Sequence, residues 1–126
     1  MLPAAHRMLR SEDFGAAVRS GVRSGTRRLV IHYRAGEAGE TTPALVGVVV
    51  PKKQVNRATH RNRIKRRVRA LMRERVDQLE AGSKVVVRGL AAADGAASPE
   101  LARDLDRCLH RLRGPALERS GGGRRD

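Results

Sequence analysis

The chain has no tryptophan, one tyrosine (Tyr33), one phenylalanine (Phe14) and one cysteine (Cys108) among its 126 residues. A lone cysteine excludes an intramolecular disulfide and a multi-cysteine zinc site within one chain, and it suits a reducing cytoplasm. With so few rings the core must be aliphatic, so Phe14 is either a core anchor or a ring kept for stacking on a base. No run approaches the roughly 18 apolar residues of a membrane span. The opening stretch, MLPAAHRMLRSEDF, scatters charges where an export signal would keep a continuous apolar segment. A soluble, cytoplasmic protein with no membrane partner is expected.

Catalytic constellations are missing as well. The four histidines, His6, His32, His60 and His110, stand far apart and none sits in a ligand motif. Asp94, Asp104 and Asp106 are too generic a set for a two-metal nuclease. The glycine-rich SGGGRRD near the C-terminus has no helix after it to hold a phosphate. Without a nucleophile and base, an acid pair or a metal cluster, no residue of the chain is assigned a catalytic role.

Negative charge is the other scarcity. Thirteen acids face 27 bases, for a net charge of +14. Such a chain repels itself when compact and gains most by binding a polyanion, with nucleic acid ahead of an anionic membrane. Only Lys52, Lys53, Lys65 and Lys84 are lysines, and arginine favours forked contacts with phosphates and base edges. Coding-sequence composition explains that preference equally well, so the sign of the charge carries the argument.

What is present is organised around residues 52–75, KKQVNRATHRNRIKRRVRALMRER, with eleven Lys or Arg and one acid, Glu74. Ile64, Val68, Leu71, Met72, Val76 and Leu79 recur at the spacing of one helix face. Asn62, Arg63, Arg66, Arg69 and Arg73 project to the other side. Asn56 or Thr59 is the expected N-cap and Gly82 the expected stop. Arg61 falls near the apolar stripe, which places it in the first turn with its long stem reaching outward.

The remaining elements follow from pattern. Ser11, Glu12 and Asp13 open a short first helix that carries Phe14, Ala17 and Val18 and ends at Gly21. Residues 27–34 and 44–50 read as strands expected to pair as an antiparallel hairpin, with a further strand either hidden in 22–28 or split from 27–34. Residues 83–90 form another strand, so strand, long helix and strand give a βαβ unit and a parallel pair in a mixed sheet. Ser98, Pro99 and Glu100 open a last helix whose apolar stripe is Leu101, Leu105, Cys108, Leu109 and Leu112. Cys108 is therefore a buried small hydrophobe. One domain over 1–113 and a basic, disordered tail over 114–126 are expected.

The stretch VGVVVPKKQVNRATHRNRIKRRVR, with Arg61-Asn62-Arg63 at the start of its helix, resembles the protein component of bacterial ribonuclease P. The SEDF segment and the VVVR strand after the long helix fall in the matching order. The resemblance covers roughly residues 7–112. It implies an α/β sandwich, a single α+β domain in αβββαβα order with a mixed sheet and a left-handed βαβ crossover, against the usual right-handed one. It also implies that an RNA subunit with bound Mg²⁺ removes the 5′ leader of precursor tRNA, making this an endoribonuclease only as part of a ribonucleoprotein. Carried over residue by residue, Arg61, Asn62, Arg63, Lys65, Arg66 and Arg69 contact the RNA subunit, and Lys52, Lys53 and Asn56 extend that surface. Phe14, Val18 and His32 match a cleft for the single-stranded leader. No obligate protein partner is expected, and the sequence does not decide whether metal ions bind to the protein itself. The competing reading is a general RNA-binding structural protein, such as a small ribosomal component, which explains the charge but not the ordered motifs.

Overall fold

The computed structural model describes residues 4–8, 15, 17–19 and 21–120. Four strands, β1 (Val22–Gly25), β2 (Leu29–Arg34), β3 (Leu45–Val49) and β4 (Lys84–Gly89), form one mixed sheet in the order β1-β2-β4-β3. Two helices, α1 (Ala58–Arg73) and α2 (Ser98–Ser120), pack on one face of it. Gly15 and residues 17–19 are helical and, with Met8, approach the other face. The result is a mixed α/β domain of helix, three strands, helix, strand, helix.

The hidden strand is real: 22–28 supplies β1, which turns back at Thr26 to pair antiparallel with β2. The expected hairpin between β2 and β3 is not formed, because β4 lies between them, antiparallel to β2 and parallel to β3. Val85, Val86 and Val87 of β4 are all buried, and three successive valines can only be covered on both faces in an interior strand. The connection over residues 35–44 easily crosses the roughly 10 Å of two strand spacings. The βαβ unit formed by β3, α1 and β4 is present as expected. The free edge of β3 is covered by the lead-in segment. Arg7 bridges to Val46, the Met8 amide donates to the Val46 carbonyl at 3.0 Å, and His6 Nδ1 donates to the Ala44 carbonyl at 2.7 Å.

Alternation decides what the sheet offers each side. Leu29, Ile31, Tyr33, Val46, Val48, Val85 and Val87 join Ile64, Val68, Met72 and the α2 stripe in the main core. Val30, His32, Arg34, Val86 and Arg88 take the opposite face by their odd register. The α2 stripe is buried throughout, with Leu101, Leu105, Cys108 and Leu109 fully inaccessible. Burial pushes the Cys108 thiol upward in pKa, which keeps it protonated and inert.

Three boundaries differ from expectation. Helix α1 begins at Ala58, with Arg57 as an N-cap that makes no side-chain cap, so neither Asn56 nor Thr59 performs that role. It ends at Arg73 and not near Gly82, because Arg75 bonds the Leu71 carbonyl at 2.8 Å and reaches across to Asp106, turning the chain toward α2. A short 3₁₀ turn, Val76–Gln78, follows, and Val76 and Leu79 still reach the core. Gly82 instead serves the turn into β4, at φ +77, where its amide donates to the Thr42 carbonyl. The α2 backbone is helical over Ser98–Ser120, past the expected tail boundary at 113/114, although that stretch includes Gly114 and Pro115, both poor helix formers.

Candidate RNA-binding surface

Why α1 presents charge outward follows from its core contacts. Ile64, Val68 and Met72 are buried, so the helix surface opposite them is forced into solvent. Asn62, Arg63 and Arg66 are exposed there, and Lys65 and Arg69 are half-exposed on the flank. Arg73 continues the row at helical spacing from Arg66 and Arg69. No acid occurs between residues 41 and 73, so nothing on the helix neutralises the row. The first turn has neither an acid of its own nor a side-chain cap.

Lys52 and Lys53 are exposed in the turn after β3, and Asn56 is exposed just before α1. One arginine organises this approach. Arg61 Nη1 donates to the carbonyls of Val55 at 3.0 Å and Asn56 at 2.7 Å, folding the entry segment against the helix that follows it. Arg61 does lie in the first turn, but its guanidinium holds backbone. Arg67 is similarly committed, donating to the Ala96 carbonyl at 2.6 Å. His60 Nδ1 meets both Asp94 carboxylate oxygens at 2.9 and 3.0 Å, fixing the start of α1 to the turn after β4. Between α1 and Ser98 lies a groove of about 620 Å³ walled by Arg63, Arg66 and Arg67 over Ala70 and Leu71. The residues carried over from the family leave out Arg57 and Arg73, although both are exposed. Helical spacing alone identifies Arg73.

The second surface is the sheet face away from the helices. Phe14 lies outside the described residues. Val18 is 50% exposed, while Ala17 beside it is buried with Met8 against Val86. His32 is only 6% exposed and sits across from Arg23 on β1 and Val86 on β4. Burial, then the positive charges of Arg23 and Arg88, hold its pKa below the ordinary 6.5, so the ring is neutral at neutral pH. Tyr33 turns to the opposite face and is buried in the main core, which excludes it from this surface. Arg34 and Lys84, cross-strand neighbours, line a pocket of about 430 Å³ at one end. Among the described residues no group of three or more His, Cys, Asp or Glu side chains comes together as a metal site. No helix among them is long and apolar enough to cross a membrane.

Comparison with known proteins gives a consistent result. The family described as Ribonuclease P matches residues 2–113. The chain is 47% identical over 119 residues to the ribonuclease P protein component of Streptomyces griseus, covering 90% of this chain and 97% of that protein. It is 51% identical over 112 residues to the one from Beutenbergia cavernae, covering 89% and 92%. Among solved structures, the RNase P protein of Staphylococcus aureus superposes with a TM-score of 0.72 at 21% identity, covering 85% of this chain and 94% of that one. The Thermotoga maritima RNase P protein gives 0.66 at 22%, covering 86% and 96%.

Proposed function

Since the chain belongs to the bacterial ribonuclease P protein family, we propose that it serves as the subunit that binds the catalytic RNA and the 5′ leader of precursor tRNA. The observation that carries this reading is the acid-free outer face of α1, held rigid by its buried stripe and by the ties of His60 and Arg67. Arg63, Lys65, Arg66 and Arg69, with Lys52 and Lys53, neutralise closely spaced phosphates of the RNA subunit, and Asn56 and Asn62 add neutral hydrogen-bonding groups to the same surface. Asn62 can hydrogen-bond a base or ribose edge, which bare charge does not do. Arg61 acts one step back, by holding the Val55 and Asn56 carbonyls and thereby the approach to the helix.

The leader lies on the other sheet face, along the exposed Val18, with Arg23 and Arg88 on either side of His32 to meet its phosphates. Phe14 enters as a leader contact from the family resemblance alone. His32 is buried and neutral, so it supports this face from within without adding charge. Mg²⁺ bound by the RNA supplies the hydrolytic chemistry. The protein's residues bind, orient and neutralise, and no step runs through a metal on the protein.

Reconstitution tests the proposal. Cleavage of precursor tRNA by the RNA subunit at low Mg²⁺ is expected to need this protein. Equal cleavage with and without it would overturn the reading.

A further inference from the structure

The acids of α2 are unusually placed in their pairing. On an isolated helix Glu100 would pair with Arg103 and Asp104 with Arg107, three residues on, and Asp106 with His110, four on. In the fold all three of these acids, which lie in the first three turns, turn elsewhere. Arg28, from the β1–β2 turn, bonds Glu100 at 3.1 Å and Asp104 at 3.1 Å. Arg75, from beyond α1, bonds Asp106 at 2.7 Å. These ties leave Arg103, Arg107, His110 and Arg111 exposed on the outer face of α2. Among the described residues, the first three have no acidic partner, and Arg111 reaches only Ser24 Oγ, at a long 3.4 Å.

This arrangement is unfavourable by itself. Arg103 and Arg107, then Arg107 and Arg111, are like charges four residues apart on one helix face. The helix dipole does not explain them, because it acts within the last turn and α2 continues to Ser120. A solvated face ordinarily mixes both signs, and here the acids are withdrawn into tertiary ties while the bases remain. Helix α2 packs on the same face of the sheet as α1, with Arg103 and Arg107 exposed and Arg111 exposed beside the edge strand β1, so the α2 row extends the positive surface of the helical layer beyond Arg63, Arg66 and Arg73.

We infer that the outer face of α2, centred on Arg103, Arg107 and Arg111, is a second phosphate-binding surface that grips another backbone segment of the RNA held by α1. The inference rests on the proposed RNA-binding function and adds a surface to it. A polyanion is the partner whose charge offsets the repulsion within the row, and only an extended one spans both helices.

The test is the salt dependence of binding to the RNA subunit by the full chain. In the variant Arg103→Gln/Arg107→Gln/Arg111→Gln, the slope of log Kobs against log salt is expected to shrink by about 2 to 3, roughly one for each phosphate left without its arginine. The variant Arg103→Lys/Arg107→Lys/Arg111→Lys, which keeps the charge, is expected to restore it, which separates phosphate binding from folding. An unchanged slope in the Gln variant, alongside a reduced slope in Arg63→Ala/Arg66→Ala, would overturn the α2 surface and leave the α1 surface intact. A reduced slope that the Lys variant does not restore also overturns it, since a folding defect then explains the loss. No binding by the unmodified chain would defeat the underlying function itself.

Discussion

Helices α1 and α2 lie side by side on one face of the sheet and both turn arginines to solvent, but they arrive there by different routes. Helix α1 has no acid at all between Ala58 and Arg73, so its charge is a property of its own composition. Helix α2 carries three acids in its first three turns, and its positive face exists only because Arg28 and Arg75 take those acids away. The net charge of a segment therefore does not give the charge of its surface. A cation counts toward binding when the acids near it are already committed, and pairing across the fold decides that. Within α1 the same rule sorts neighbours, since Arg66 is exposed while Arg67, one residue on, is fastened to Ala96.

The largest expected effect removes the support that both helices share. Leu105→Ala deletes a fully buried side chain of α2 and is expected to lower stability by about 2–5 kcal/mol in urea unfolding. A loss under about 1 kcal/mol would mean that the α2 stripe is not part of the core. Next comes the tie between the helices. Arg75→Met removes the bonds to Asp106 and to the Leu71 carbonyl, at about 1–3 kcal/mol, toward the lower end because Asp106 is more than half exposed. The hydrogen bond from Arg75 holds the Asp106 carboxyl below its ordinary 3.8. A depressed folded value contributes stability above pH 3.8 that disappears as pH falls through the lowered value, so the gap between the unmodified chain and the variant should narrow in acid to the part carried by the Leu71 carbonyl bond. A gap that does not narrow assigns the whole loss to the Leu71 bond.

A finer division falls between adjacent arginines of α1. Arg66→Ala is expected to reduce the salt slope of RNA binding by about 1 with little change in stability. Arg67→Ala should do the reverse, costing about 1 kcal/mol of stability for the missing hydrogen bond and leaving the slope alone. Equal slopes in the two variants would erase the distinction between free and committed cations. The smallest effect tests the other sheet face. His32 has a folded pKa below 6.5, so the unfolded chain takes up its proton first, and stability falls as pH drops below about 6.5 toward the lowered value. His32→Gln should remove that part of the acid sensitivity, and parallel pH profiles for both proteins would show that burial of His32 does not shape it.

Much of the fold is legible in residue order. The apolar stripes Ile64, Val68, Met72 and Leu101, Leu105, Leu109 are buried as their spacing predicts, and the βαβ unit forms where expected. The strand order is not legible, because Val85–Val87 would suit any interior position and only the competition of all four strands for cover places β4 between β2 and β3. The helix ends escape a local reading for a related reason. Arg75 stops α1 by reaching Asp106, and no nearby pattern marks that bond. On the candidate surface, Asn62, Arg63 and Arg66 are exposed as their helical positions suggest, whereas the engagement of Arg61 with the Val55 and Asn56 carbonyls depends on the path of the preceding turn. Strand alternation separates His32 from Tyr33, but which of them faces the helices depends on the register.

Residue order alone was enough for the long helices α1 and α2, strands β2, β3 and β4, their buried stripes and the positive face of α1, because each depends on side chains within a few positions of one another. Which cations remain free was settled only when the chain folded. The ties responsible, Arg75 to Asp106 and Arg28 to Asp104, join residues 31 and 76 positions apart. Pairing at that range is set by how the helices pack on the sheet, and spacing along the chain carries no trace of it.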